Sequence, residues 1–413
     1  MVTPYAYPGL AYPAQVHPSE NFPVVAPSTG SDDSTYAVSY RFEVLDRDEN
    51  FLRECHCTET GGGELKWFST KSIKGGGTLN VRDTGQYFDW PNSRIKPVRV
   101  HTSGSGVQTE YPLGVYLMSA PVEEWDALGR KWAIELLDKC SILDSDIVTD
   151  EDGNPISFGV VAGTNVIDTV VSLIESTGES ASAIEGGSVP LGNDMTWETG
   201  TTVLRIINDL LAASNYFSIW CDMEGQFRTT PYQPPEERPV VYADGTAFGW
   251  DTPFSYGPSS LMAPEWTRDL DIYAIPNRWV AISQGDGERE GMVAVATNED
   301  PASPFSYPSR GRWITQVEHG VEAVDEGALQ ARARRSLENA TSTTVGVTAS
   351  HLYLPDVQIN SVVHFRNELA DGLDSRMSVL NTTVPFDPLA LCKTEFREFG
   401  GSHTTWEVHL DDS

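Results

Sequence analysis

Cations are what this chain has too few of. Its 413 residues carry 28 Lys and Arg against 59 Asp and Glu, a formal net charge of −31. Such a surface repels phosphate backbones and anionic headgroups, which argues against sequence-independent nucleic-acid binding and against adhesion to anionic lipid. Cysteine is scarce as well. Cys55, Cys57, Cys140, Cys221 and Cys392 form an odd, scattered set rather than a disulfide framework, and reduced thiols are expected. No run approaches 18 apolar residues, so no membrane-spanning helix is expected. The opening MVTPYAYPGLAYPAQ has neither a basic n-region nor an apolar h-region, so no signal peptide is expected. The chain also lacks G-x-S-x-G, H-E-x-x-H, P-loop and dinucleotide glycine patterns.

What is present points to β structure. Apolar residues make up 39% and aromatics 10%, with 35 Gly and 26 Pro, a composition of folded chain with frequent turns. The length exceeds one ordinary domain. Residues 1–33 form a separate zone. Pro4, Pro8, Pro13, Pro18, Pro23 and Pro27 are interleaved with Tyr5, Tyr7 and Tyr12, which favours an extended arm over a helix. From Tyr36 the pattern becomes period-2: Tyr36, Val38, Tyr40, Phe42 and Val44 alternate as a strand. Six or so short strands over 34–145 suggest a small antiparallel barrel or sandwich. Their glycine runs, 61–63 and 75–77, read as hairpin loops.

Residues 146–242 read as an α/β insertion. Asn165 or Thr164 can cap a helix with Val166, Ile167, Val170, Val171 and Ile174 on one stripe. Thr202 can cap a second, with Val203, Ile206, Ile207, Leu210 and Leu211 on one face. FSIWCDMEGQFRTTPY (217–232) then reads as a hairpin turning at Asp222–Gly225, with Phe217, Ile219 and Cys221 as the inward face. Residues 243–413 are again strand-rich, with a long polar loop and a helix at about 325–340 carrying Leu329, Ala333 and Leu337 on one side.

Candidate chemistry is sparse. Cys55-His56-Cys57 is the one metal-like cluster, but its spacing is short for zinc and no distant pair completes it. Carboxylates are so abundant that a glycosidase pair has no meaning without geometry. The 11 tryptophans are dispersed and read as core or interface residues. No catalytic, cofactor-binding or metal-ligating residue is predicted, and the chain is not expected to be an enzyme.

Several phrases occur together in order: YPLGVYLMSAP…GRKWAIELLDKCSILDSD, TVLRIINDLLAASNYFSIWCDMEGQFRTTPYQPPEERPVVY, IPNRWVAIS, NEDPASPFSYPSRGR and ALQARARRSLENA. Over roughly Tyr36 to Phe399 the chain resembles the tail hub, or minor tail, proteins of long-tailed actinobacteriophages. That group is distantly similar to the trimeric baseplate hub of contractile-tailed phages. The resemblance implies a mainly β chain with α/β insertions: two small β-barrel domains per chain plus helix–hairpin modules, in a trimeric ring. It implies a homotrimer that joins a six-fold tail tube or distal tail protein to a three-fold tip. The tape measure protein and a central fibre or receptor-binding protein are the further implied partners, and genomic DNA would pass through without specific binding. The location implied is the virion tail tip, after assembly in the bacterial cytoplasm. The rival reading from composition is an acidic β-protein that binds or hydrolyses polysaccharide.

Overall fold

The computed structural model describes residues 36–55, 58–82, 89–127, 129–241, 254–255, 261–270, 273, 275–283, 291–321, 326–342, 345–367 and 373–398. The proline-rich arm and the closing TTWEVHLDD strand of the sequence reading lie outside them.

The first region is a run of antiparallel strands: β1 (Tyr36–Leu45), β2 (Phe51–Glu54), β3 (Thr58–Phe68), β4 (Gly75–Arg82), β5 (Arg94–Ser103), β6 (Gln108–Pro112), β7 (Tyr116–Asp126) and β8 (Gly129–Asp138). Alternation along β1 and β4 buries Phe42, Val44, Leu79 and Val81 in the first core. The glycine runs are not loops. They lie inside β3 and β4, paired so that Leu65 faces Gly77, Lys66 faces Gly76 and Trp67 faces Gly75. The reason is close backbone approach: a Cβ on Gly77 would sit 2.1 Å from the Glu64 carbonyl oxygen, and one on Gly63 2.1 Å from that of Thr78.

α1 (Cys140–Ser145) ends the first region and packs into the second core; the insertion follows with β9 (Phe158–Val160), α2 (Val166–Ser176), β10 (Met195–Trp197), α3 (Val203–Ala213), β11 (Trp220–Cys221) and β12 (Phe227–Arg228). Asn165 caps α2, its side chain accepting from the Ile167 amide, and Thr202 caps α3 by accepting from the Arg205 amide. The apolar stripes of both helices meet in the second core, together with Trp197, Ile219 and Phe227. Burial of each large aliphatic there contributes roughly 1.5–3 kcal/mol. The hairpin is interrupted: the Ile219 amide donates to Asn208 Oδ1 of α3 (3.0 Å), so ladder pairing resumes only at Trp220. Ile219 goes inward as expected, whereas Phe217 leaves the core and packs against Tyr232, ring centroids 5.0 Å apart.

The last region holds β13 (Phe254–Ser255), β14 (Met262–Leu270), β15 (Arg278–Ile282), β16 (Val293–Thr297), α4 (Tyr307–Arg310), β17 (Thr315–His319), α5 (Glu326–Ser342), β18 (Val345–His351), β19 (Val362–Asn367), β20 (Leu373–Pro385) and β21 (Cys392–Glu398). The sheet β16-β15-β17 is separate and has its own core. Its small residues Ala281, Ala294 and Ala296 let α5 approach with Leu329, Ala333 and Leu337. The remaining strands form a third core around Phe254, Phe365 and Phe396.

β20 connects the two β regions. Its first half pairs with β19, its middle with β21, and Asn381–Pro385 with β3. One 14-stranded sheet results, with the path β14-β18-β21-β20-β3-β4-β8-β7-β5-β1-β2. The chain is mainly β with few helices and large antiparallel sheets. Among the described residues this path does not close on itself, so two closed barrels are not seen; the shared strand β20 merges the two regions into one ladder instead.

Candidate functional site

With no reactive motif in the sequence, the places to inspect are where the cores meet. At the β20–β3 seam, Tyr40 Oη donates to the Pro385 carbonyl (2.8 Å) and receives a bond from Arg99 Nη1. Arg99 Nε donates to His101 Nε2 at 2.9 Å, and the guanidinium lies over the Tyr353 ring, 5.1 Å from its centroid. His101, Tyr111 and Tyr353 pack edge to face, and Phe42 meets Phe386 at 5.0 Å. Burial dominates the titrations. It pushes Tyr40 up to about 12, and, with the Arg99 charge beside it, pushes His101 down to about 3. His351 is likewise buried and driven down to about 4, with Nδ1 bonded to the Leu352 carbonyl and Nε2 to Thr394 Oγ1.

The insertion docks on the first region through buried charge. Arg94 Nη1 bonds Glu49 (2.8 Å) and Glu179 (3.0 Å), its Nη2 bonds Glu179 again, and Lys139 bonds Glu49 and lies 3.4 Å from Glu179. Burial opposes the Arg94 charge, but the two carboxylates outweigh it and its affinity for the proton is raised. The hairpin tip supplies the second contact. Asp222 Oδ1 accepts from the Glu224 and Gln226 amides, Gly225 takes φ +81°, and the Gly114 amide donates to the Met223 carbonyl at 2.7 Å. A Cβ at Gly225 would come within 2.5 Å of Val115 Cγ2. The hairpin is therefore a plug seated on the first β region. A mixed-charge cleft of about 550 Å³ lies beside it.

A second cavity, about 500 Å³, opens where hairpin, linker and seam converge, lined by Trp67, Lys74, Phe217, Trp220, Tyr353 and Val362 among others. The linker runs along it, pinned by Arg238 Nη1 on the Asn360 carbonyl and by Arg376 Nη2 on the Arg238 carbonyl. Cys221 lines this cavity, and behind it Asp138, Cys140 and Cys221 place their donor atoms within 4.8 Å of one another. Asp138 Oδ2 accepts from the Gly75 amide (3.0 Å) and Oδ1 from the Cys140 amide (2.8 Å). Burial raises Asp138 and lifts Cys221 well above the usual thiol range.

Of the CHC triplet, Cys55 is buried in the first core with its amide on the Phe42 carbonyl; His56 and Cys57 lie outside the described residues. Sequence reading did not find the Asp138–Cys140–Cys221 cluster or the Arg94–Glu179 network. The one local signal was Asp138-x-Cys140 at a strand end; the partner residues lie dozens of positions away.

No family model matches the chain, and no curated protein matches it by sequence. Solved structures do. A tail protein from Neisseria meningitidis superposes with a TM-score of 0.59 at 13% identity, covering 87% of this chain and 96% of that one. The 43 kDa tail protein of prophage MuSo2 from Shewanella oneidensis gives 0.55 at 12% identity, with 87% and 98% covered. The fold is that of phage tail proteins. A chain of a Francisella PdpA–VgrG complex shares it more partially, with a TM-score of 0.53 at 8% identity, 92% of this chain and 55% of that one. The tail-protein fold covers 87% of this chain, so the resemblance read from the ordered phrases holds at the level of architecture.

Proposed function

We propose that the chain is a structural hub of a phage tail tip. In this reading it acts as a homotrimer that joins a six-fold tail tube or distal tail protein to a three-fold tip or fibre and lines the channel for DNA. The observation that carries the reading is superposition of 87% of this chain on nearly the full length of two tail proteins. The seam supports it. A subunit that must present two strand-built modules at a fixed spacing needs them joined rigidly, and β20 joins them by continuous backbone pairing. We divide the chain accordingly into an arm (1–33), a first β domain (34–145), an insertion (146–242) and a second β domain (243–413).

The net charge of −31 fits a channel that DNA slides through, because a wall poor in cations would offer little counterion release. The role is non-enzymatic. The polysaccharide reading draws no support from the 500 Å³ cavity, whose described lining includes no carboxylate; of the five carboxylates lining the other cleft, Glu49 and Glu179 are held by Arg94 and Lys139, Glu43 by Arg41 and Glu224 by Lys96. Light scattering and an axial electron-microscopy view of the purified chain test the proposal. A trimer with an axial channel is expected; a monomer at tens of micromolar, or a ring with a basic channel wall, would refute it.

A further inference from the structure

We propose that Asp138, Cys140 and Cys221 form a binding site for one soft divalent cation of the zinc class. The three donor atoms come from two separate elements, the β8–α1 corner and strand β11, and converge within 4.8 Å of one another. A tetrahedral cation at about 2.3 Å from two sulfurs holds them roughly 3.8 Å apart, so the cluster needs only side-chain adjustment to close on an ion. Two thiolates with one carboxylate select zinc-like metals over magnesium or calcium, which take oxygen ligands. Asp138 keeps capacity for this role. Each of its oxygens accepts one backbone amide, and a carboxylate offers about four lone-pair sites in all.

The surroundings supply the rest. Cys221 borders the 500 Å³ cavity, which provides an entry path and room for water as fourth ligand. Three anionic ligands leave a bound divalent ion with one excess negative charge. Lys74, 6% exposed, lines the same cavity as Cys221 and interacts electrostatically with Asp138 and Cys140, so its ammonium would offset it. On binding, each thiol passes its proton to solvent as its metal–sulfur bond forms, with no change in oxidation state. The ion would pin the hairpin to the end of β8, and so the insertion to the first β region, next to Lys139 of the Arg94–Glu179 network.

The test uses the full chain, reduced, stripped with chelator and titrated with Co²⁺ as a spectroscopic probe, then with Zn²⁺ in competition. One Co²⁺ per chain is expected, with a thiolate-to-cobalt charge-transfer band that Zn²⁺ abolishes. Cys221→Ser and Cys140→Ser should each weaken binding by at least about tenfold, while Cys392→Ala, outside the cluster, should not. Thiol alkylation read by mass spectrometry covers the event that a variant fails to fold: Zn²⁺ should protect Cys140 and Cys221 in the unaltered chain and leave Cys392 unchanged. Absence of the band, a band that survives in both serine variants, or alkylation indifferent to Zn²⁺ would overturn the proposal.

Discussion

Acid should destabilise the second β region, and His351 shows by how much. The ring is 1% exposed, packed edge to face on Phe254, and accommodated as a neutral imidazole between the Leu352 carbonyl and Thr394. Burial holds it down to about 4, against an ordinary 6.5. The unfolded chain therefore binds more protons than the folded one through this window. Stability is full above about pH 6.5 and falls as the pH drops, until His351 itself protonates near 4. Between pH 7 and pH 5 the loss is about 2 kcal/mol, and about 3 kcal/mol over the whole window. His101, equally buried and held at about 3 by burial and by Arg99, adds a similar loss. Urea unfolding of the chain and of His351→Gln, followed by tryptophan fluorescence at both pH values, isolates the first contribution. Glutamine retains a donor for Leu352 and an acceptor for Thr394 but cannot titrate. Its stability should fall by about 2 kcal/mol less than that of the parent. Identical losses in the two proteins would refute the assignment of His351 as a neutral, buried base.

Other perturbations have distinct expected outcomes. Glu179→Gln leaves Arg94 and Lys139 buried beside a neutral amide and should cost about 3–5 kcal/mol in calorimetry; a loss below about 1 kcal/mol would show that the network is solvated. Gly225→Ala meets both a positive φ and Val115, so a loss of about 1–3 kcal/mol is expected, partly recovered in the Gly225→Ala/Val115→Ala pair. Leu210→Ala, at the centre of the second core, should cost about 2–5 kcal/mol and be read by loss of helical circular dichroism on heating. Deleting residues 1–33 should leave the melting of the remaining chain unchanged while reducing assembled tails in a complementation assay; normal tails would count against an assembly role for the arm.

The sequence by itself determined whatever depends on neighbours within a few positions. α2, α3 and their Asn165 and Thr202 caps were legible because 3.6-residue stripes and capping side chains act within one or two turns. β1 and the Asp222–Gly225 turn were legible for the same reason. The glycine runs were misread because glycine serves turns and close strand approach equally well, and only the partner strand distinguishes them. Tertiary structure alone decided the rest: that β20 is shared between two regions, that Asn208 interrupts the hairpin, and that Arg94 meets Glu179 and Cys140 meets Cys221. Those pairings join residues from eleven to more than three hundred positions apart, and no local periodicity encodes a partner that only folding brings within reach.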